Sequence, residues 1–87
     1  MVYGFAYTPR ALAFLKTLQP KLRRQIINRI QSLAADPTGP GTKKLHGVPD
    51  DDDAVFRARQ GKHRILYCIR RPVIVILDID HRKDVYR

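Results

Sequence analysis

Between Ala54 and Asp80, three strand-like stretches follow one another with only turn residues between them. This run constrains the fold more than any other part of the chain. In Ala54–Arg59, Phe56 and Ala58 alternate with Val55, Arg57 and Arg59, the period of a strand with one apolar face. Gln60-Gly61-Lys62 supplies a hairpin turn, with glycine where a positive φ is needed. His63–Ile69 places Ile65, Tyr67 and Ile69 on one face and Arg64, Leu66 and Cys68 on the other. Arg70-Arg71-Pro72 turns the chain again into Val73–Asp80, which opens with the most apolar run of the sequence, Val73-Ile74-Val75-Ile76-Leu77. Strands joined by tight turns pair antiparallel, so residues 54–80 are expected to form a three-strand meander.

The preceding half has a different period. Residues 2–7 alternate weakly and read as a short first strand. Thr8-Pro9 is a helix start, with a hydroxyl at the cap and a proline at the first helical position. The helix Arg10–Leu18 sets Leu12, Leu15 and Leu18 along one face, and Gln19-Pro20 ends it and begins another. In Lys21–Ala35 an apolar stripe of Leu22, Ile26, Ile27, Ile30, Leu33 and Ala34 opposes Lys21, Arg23, Arg24 and Arg29. Asp36-Pro37-Thr38-Gly39-Pro40-Gly41 cannot continue a helix. Lys43–Gly47, Val48-Pro49 and Asp50–Asp53 read as an exposed connection. The expected order is β-α-α-β-β-β, an α+β fold in which a helical hairpin packs on a small antiparallel sheet, as one domain over residues 1–87.

Composition narrows the class. With 87 residues, 44% of them hydrophobic and 29% charged, the chain is a single globular domain near the small end of what folds unaided. No run reaches the roughly 18 apolar residues of a membrane span, and Met1-Val2-Tyr3-Gly4-Phe5 does not open a signal peptide. Cys68, the single cysteine, excludes an internal disulfide and a cysteine-based metal site, and a cytoplasmic location is expected. The formal charge is +9, and all eight acidic residues are aspartate. Such a field attracts polyanions, so nucleic acid or an acidic protein is the expected partner, and no membrane is.

The last seven residues, His81-Arg82-Lys83-Asp84-Val85-Tyr86-Arg87, follow directly on the apolar final strand. They deliver an imidazole, several cations and a phenol to one edge of the domain, groups suited to holding and cleaving a phosphodiester.

Three segments together resemble the RelE branch of the RelE/ParE toxin superfamily. They are Lys44-Leu45-x-Gly47, then Phe56-Arg57-Ala58-Arg59-x-Gly61-x-x-Arg64-Ile65-Leu66-Tyr67, then His81-Arg82-x-x-x-Tyr86. The helical hairpin from Thr8-Pro9 and the Asp36-Pro37 stop are also similar, so the resemblance covers nearly the whole chain. The terminal motif resembles the nuclease branch rather than the gyrase-poisoning ParE branch. The resemblance implies a type II toxin that cleaves messenger RNA in the ribosomal A site, and a cognate, RelB-like antitoxin that blocks the active surface in a hetero-oligomer. The charge of +9 suggests that the antitoxin's binding segment is acidic.

RNA carries its own nucleophile, the 2′-OH. Cleavage then needs a base for that hydroxyl, positive charge on the phosphorane oxygens and an acid for the leaving 5′-oxygen; no metal or cofactor is required. Arg57 and Arg59 share a strand face about 7 Å apart, and Arg64 begins the neighbouring strand. The resemblance places Arg57 near the 2′-OH, Arg64 and Arg82 at phosphate stabilisation and leaving-group protonation, and Tyr86 where it orients a nucleotide or activates the 2′-OH. Arginine is a good clamp and a poor base. His81, whose ordinary pKa suits either role, is therefore the fifth catalytic candidate. Val55 stands where some ribonuclease members carry a second lysine. The cations Arg59, Lys62, Lys83, Lys43, Lys44, Arg23 and Arg24 are the expected RNA contacts.

Simpler readings stand beside these. A single arginine on a strand often only solvates the sheet, Tyr67 belongs with Ile65 and Ile69 in the core, and Cys68 is a small buried hydrophobe. Asp78 and Asp80 either pair with Arg57 or Arg64 or solubilise the sheet. The Asp50–Asp53 run is a solvated loop rather than a cation cage. Two other functions remain: a ParE-like gyrase inhibitor without ribonuclease activity, and a non-catalytic nucleic-acid-binding module.

Overall fold

Thr8 joins the two halves of the molecule. Its hydroxyl accepts a hydrogen bond from Ala11 N at 3.2 Å, capping the first helix, and donates to the Leu77 carbonyl of the last strand at 2.6 Å. The computed structural model describes residues 3–46, His46 by its backbone alone, and 54–81. Its elements are β1 (Gly4–Tyr7), α1 (Pro9–Thr17), α2 (Pro20–Ala35), β2 (Thr42–His46), β3 (Val55–Gln60), β4 (His63–Arg70) and β5 (Val73–His81). They form one five-stranded sheet in the order β1-β5-β4-β3-β2.

The α+β class, the helical hairpin and the β3-β4-β5 meander are as the sequence pattern predicts. Two features extend it. β1 pairs in parallel with β5, Gly4 with Val73 through Tyr7 with Ile76, so the sheet is mixed. The start of the exposed connection expected from Lys43 onward is instead part of an edge strand, Thr42–His46, antiparallel to β3, with an irregularity at Leu45. An edge strand need not bury either face, so it lacks the apolar alternation that would have marked it. Its lysines also discourage edge-to-edge association.

Both helices cover one face of the sheet. Ala11 and Leu15 from α1 and Ile26, Ile30 and Leu33 from α2 are buried against Phe56, Ala58, Ile65, Tyr67, Ile69, Ile74, Ile76 and Ile79. Tyr67 is fully buried, stacks on Phe56 with ring centroids 5.8 Å apart and donates its hydroxyl to the Pro37 carbonyl. Cys68 is buried, as expected of a small hydrophobe. In β5, Leu66 pairs with Asp78 but Tyr67 with Ile76, leaving Leu77 as an extra residue in a bulge. The bulge resets the period, so Ile74, Ile76 and Ile79 all face the helices. Among the described residues no helix is long and apolar enough to cross a membrane.

Candidate active site on the open sheet face

The register of the strands decides which charged side chains meet, because residues directly opposite each other on neighbouring strands share a face. Lys43 stands opposite Arg57, Arg57 opposite Leu66, and Leu66 opposite Asp78. Two residues further along β3, Arg59 stands opposite Arg64 and Arg64 opposite Asp80. The sequence neighbours Phe56, Ala58, Ile65 and Ile79 are buried under the helices. Both rows therefore lie on the other, open face. Arg57, Arg59 and Arg64 come together there, and Arg57 and Arg64 are diagonal neighbours about 7–8 Å apart.

The hairpin that brings them together is tightly defined. Gly61 adopts φ 60° and Lys62 does not have a positive φ, the pattern of a two-residue type II′ turn. That turn fixes Arg59 against Arg64 and leaves Lys62 exposed at the tip. Arg29 of α2 supports the strand from behind, donating from Nε to the Arg59 carbonyl at 3.1 Å.

The two aspartates are divided between partners. Asp80 Oδ1 lies 3.7 Å from Arg64 Nε, an ion pair longer than a hydrogen bond. Asp78 instead reaches Arg10 of α1 at 3.4 Å and accepts from Ile79 N at 2.9 Å. Of the pairings the sequence leaves open, Asp80 with Arg64 is formed. It offsets the repulsion that Arg64 feels from Arg59 and holds the guanidinium in place.

His81 does not join this group. One residue beyond Asp80, it must face the opposite way, and the structure places it in the row Gln60, His63, His81 on the helix side. The two imidazoles are edge to face with centroids 5.3 Å apart, and Phe14 meets His63 at 5.9 Å. His63 and His81 line a pocket of about 320 Å³ with Leu22, Gln25 and Ile26 of α2 and the hairpin residues Gln60, Gly61 and Lys62. Burial holds the His63 pKa below its ordinary value, with His81 adding to the effect and Asp80 opposing it. Strand parity thus places His81, a candidate for its ordinary pKa, on the opposite side of the sheet from Arg57 and Arg64.

The other predicted cations separate as well. Lys44 stands opposite Phe56 and so on the helix-facing side of β2. Arg23 is a structural cap: its Nε donates to the Leu15 carbonyl at 2.9 Å and its Nη2 to the Leu18 carbonyl at 2.8 Å, closing the end of α1 onto α2. Arg24 is exposed on α2, which covers the helix side of the sheet. Arg82, Lys83 and Tyr86, and likewise the Asp50–Asp53 run, lie outside the described residues. The sequence pattern does not separate Lys43 from Lys44, because an edge strand with no buried face carries no apolar alternation.

What remains on the open face is a set of guanidinium groups fixed on rigid strands. They are permanently charged, donate in a fork and suit a phosphodiester better than a neutral ligand.

Comparison with known proteins identifies the family. The family model described as the ParE toxin of the type II toxin–antitoxin system parDE matches residues 5–86. Toxin RelG of Mycobacterium tuberculosis is 31% identical over 93 residues, covering 100% of this chain and 99% of that protein. The fold is similar to that in the archaeal RelE–RelB complex from Pyrococcus horikoshii, with a TM-score of 0.80, 25% identity, and coverage of 94% of this chain and 97% of the other. It is also similar to the RelBE2 toxin–antitoxin complex of M. tuberculosis, with a TM-score of 0.77, 29% identity, and coverage of 94% and 93%.

Proposed function

This chain belongs to the ParE toxin family of type II toxin–antitoxin systems, within the RelE/ParE superfamily, and we propose that it is a metal-independent endoribonuclease that cleaves messenger RNA on the ribosome. The observation that carries this reading is the grouping of Arg57, Arg59 and Arg64 on one open sheet face, with Asp80 positioning Arg64.

In this reading the 2′-oxygen forms a bond to phosphorus as the bond to the 5′-oxygen breaks. The products are a 2′,3′-cyclic phosphate and a 5′-hydroxyl. Arg64 and Arg59 neutralise the phosphorane oxygens, whose second negative charge develops only in the transition state. Arg57 lies toward the 2′-OH. The proton taken from that hydroxyl and the one delivered to the 5′-oxygen are assigned by resemblance to Tyr86 and Arg82. His81, on the far side of the sheet, is left as the ring partner of His63. The resulting arrest of translation takes place in the cytoplasm.

The likeness to RelE–RelB complexes supports a RelB-like antitoxin as partner. An acidic segment of that protein suits the cationic face, and the pair would form a hetero-oligomer. A second reading, gyrase inhibition without RNA chemistry, draws on the ParE name of the matching family. Mapping messenger RNA ends after brief expression separates the two. Codon-phased cleavage supports the ribonuclease, whereas altered DNA supercoiling with intact messages supports gyrase inhibition.

A further inference from the structure

The open face is not uniformly basic, and its asymmetry gives a bound RNA strand a direction. Lys43, Arg57, Arg59 and Arg64 occupy β2, β3 and β4, whereas the β5 end of each row is a carboxylate, Asp78 or Asp80. A phosphodiester backbone leaving Arg64 toward β5 meets carboxylates already held by arginines, Asp80 by Arg64 and Asp78 by Arg10. One leaving toward β2 meets Arg57 and then Lys43.

Lys43 stands at the end of that path, exposed on the edge strand and directly across from Arg57. β2 and β4 are two strand spacings apart, about 9.5 Å, so Lys43 and Arg64 address different phosphates. We propose that Lys43 binds the phosphate next to the scissile one, so that the RNA backbone crosses the sheet from β4 toward the β2 edge. The proposal rests on the RNA-cleaving reading and adds to it a contact residue and a direction. The adjacent Lys44 faces the helix side and takes no part.

The test is the salt dependence of binding to a short single-stranded RNA with 2′-O-methyl riboses, which lacks the nucleophile and stays intact. One lost phosphate contact on a single strand lowers the slope of log affinity against log salt by about 0.7. Lys43→Ala is expected to show that loss and Lys43→Arg to restore the slope. Lys16→Ala, the same charge change on α1, is expected to leave it as in the wild type. On programmed ribosomes, Lys43→Ala raises KM more than it lowers kcat. A Lys43→Ala slope equal to the wild type overturns the proposal while the cleavage reading stands, and so does a Lys44→Ala loss as large as that of Lys43→Ala. A wild-type protein that neither binds nor cleaves RNA overturns both.

Discussion

Arg59 of β3 and Arg64 of β4 stand directly opposite each other on the open face of the sheet. Like charges in that position oppose folding, and Asp80 on the far side of Arg64 offsets them in part. A protein selected for stability alone would not keep this pair, whereas a phosphate placed between the two guanidinium groups converts repulsion into a binding site. Arg59→Ala is therefore expected to stabilise the fold by about 0.2–1 kcal/mol at low salt, with the gain shrinking as salt rises. The same variant should bind RNA more weakly. Urea unfolding at two salt concentrations, alongside RNA titration, checks both halves of this trade-off.

Arg23 offers the opposite separation. Its guanidinium satisfies the Leu15 and Leu18 carbonyls at the end of α1. Arg23→Ala should cost about 1–2 kcal/mol of stability, the range for charged hydrogen bonds reduced for partial exposure. Cleavage by the fraction that remains folded should be unchanged. Lysine is a poor replacement, because a single ammonium cannot bridge two carbonyls in the same fork.

The parts of this molecule that bury a face were legible from the sequence. Phe56 and Ala58 alternating with Arg57 and Arg59 foretold both the core and the cationic face, since a strand of period two allows only one arrangement once one side is apolar. The edge strand Thr42–His46 was not legible, because neither of its faces is demanded by the core. Without that strand Lys43 and Lys44 look equivalent, although one faces Arg57 and the other lies opposite Phe56. His81 stands out in the sequence for its ordinary pKa, which says nothing of the face it occupies; parity with Asp80 places it on the helix side. The Thr8–Leu77 hydrogen bond joins residues 69 positions apart, a relation no local pattern carries.

Tyr67 should set the alkaline limit of stability. Burial pushes its pKa up to about 12 from an ordinary value near 10. The unfolded chain loses that proton first. The contribution is therefore present in full below about pH 10 and is lost as pH rises toward 12. Tyr67→Phe removes this alkaline limb. It also leaves the Pro37 carbonyl without its donor, at a cost of about 1–3 kcal/mol at neutral pH. Thermal melts of both proteins between neutral and strongly alkaline pH read the two effects.

His63 acts at the other end of the scale. Its pKa is lowered by burial, so the unfolded chain takes up a proton before the folded one does. Its contribution is complete above about pH 6.5 and declines as pH falls through the lowered folded value. His63→Phe keeps an aromatic ring against Phe14 and should flatten the acid dependence without altering cleavage at neutral pH, because His63 lies on the side of the sheet away from Arg64. Melting curves across the acid range test the first expectation and a ribosome-programmed cleavage assay the second.

The central claim is that the open-face arginines cleave messenger RNA, and the most direct measurement is cleavage on programmed ribosomes by the wild type and Arg64→Ala. Wild-type protein is expected to cut messages in phase with the codons. Removing one transition-state donor should slow that cut by about 10²- to 10³-fold while the protein remains folded. Arg64→Ala cleaving at the wild-type rate, or a wild type that leaves messages intact and alters DNA supercoiling, would contradict it.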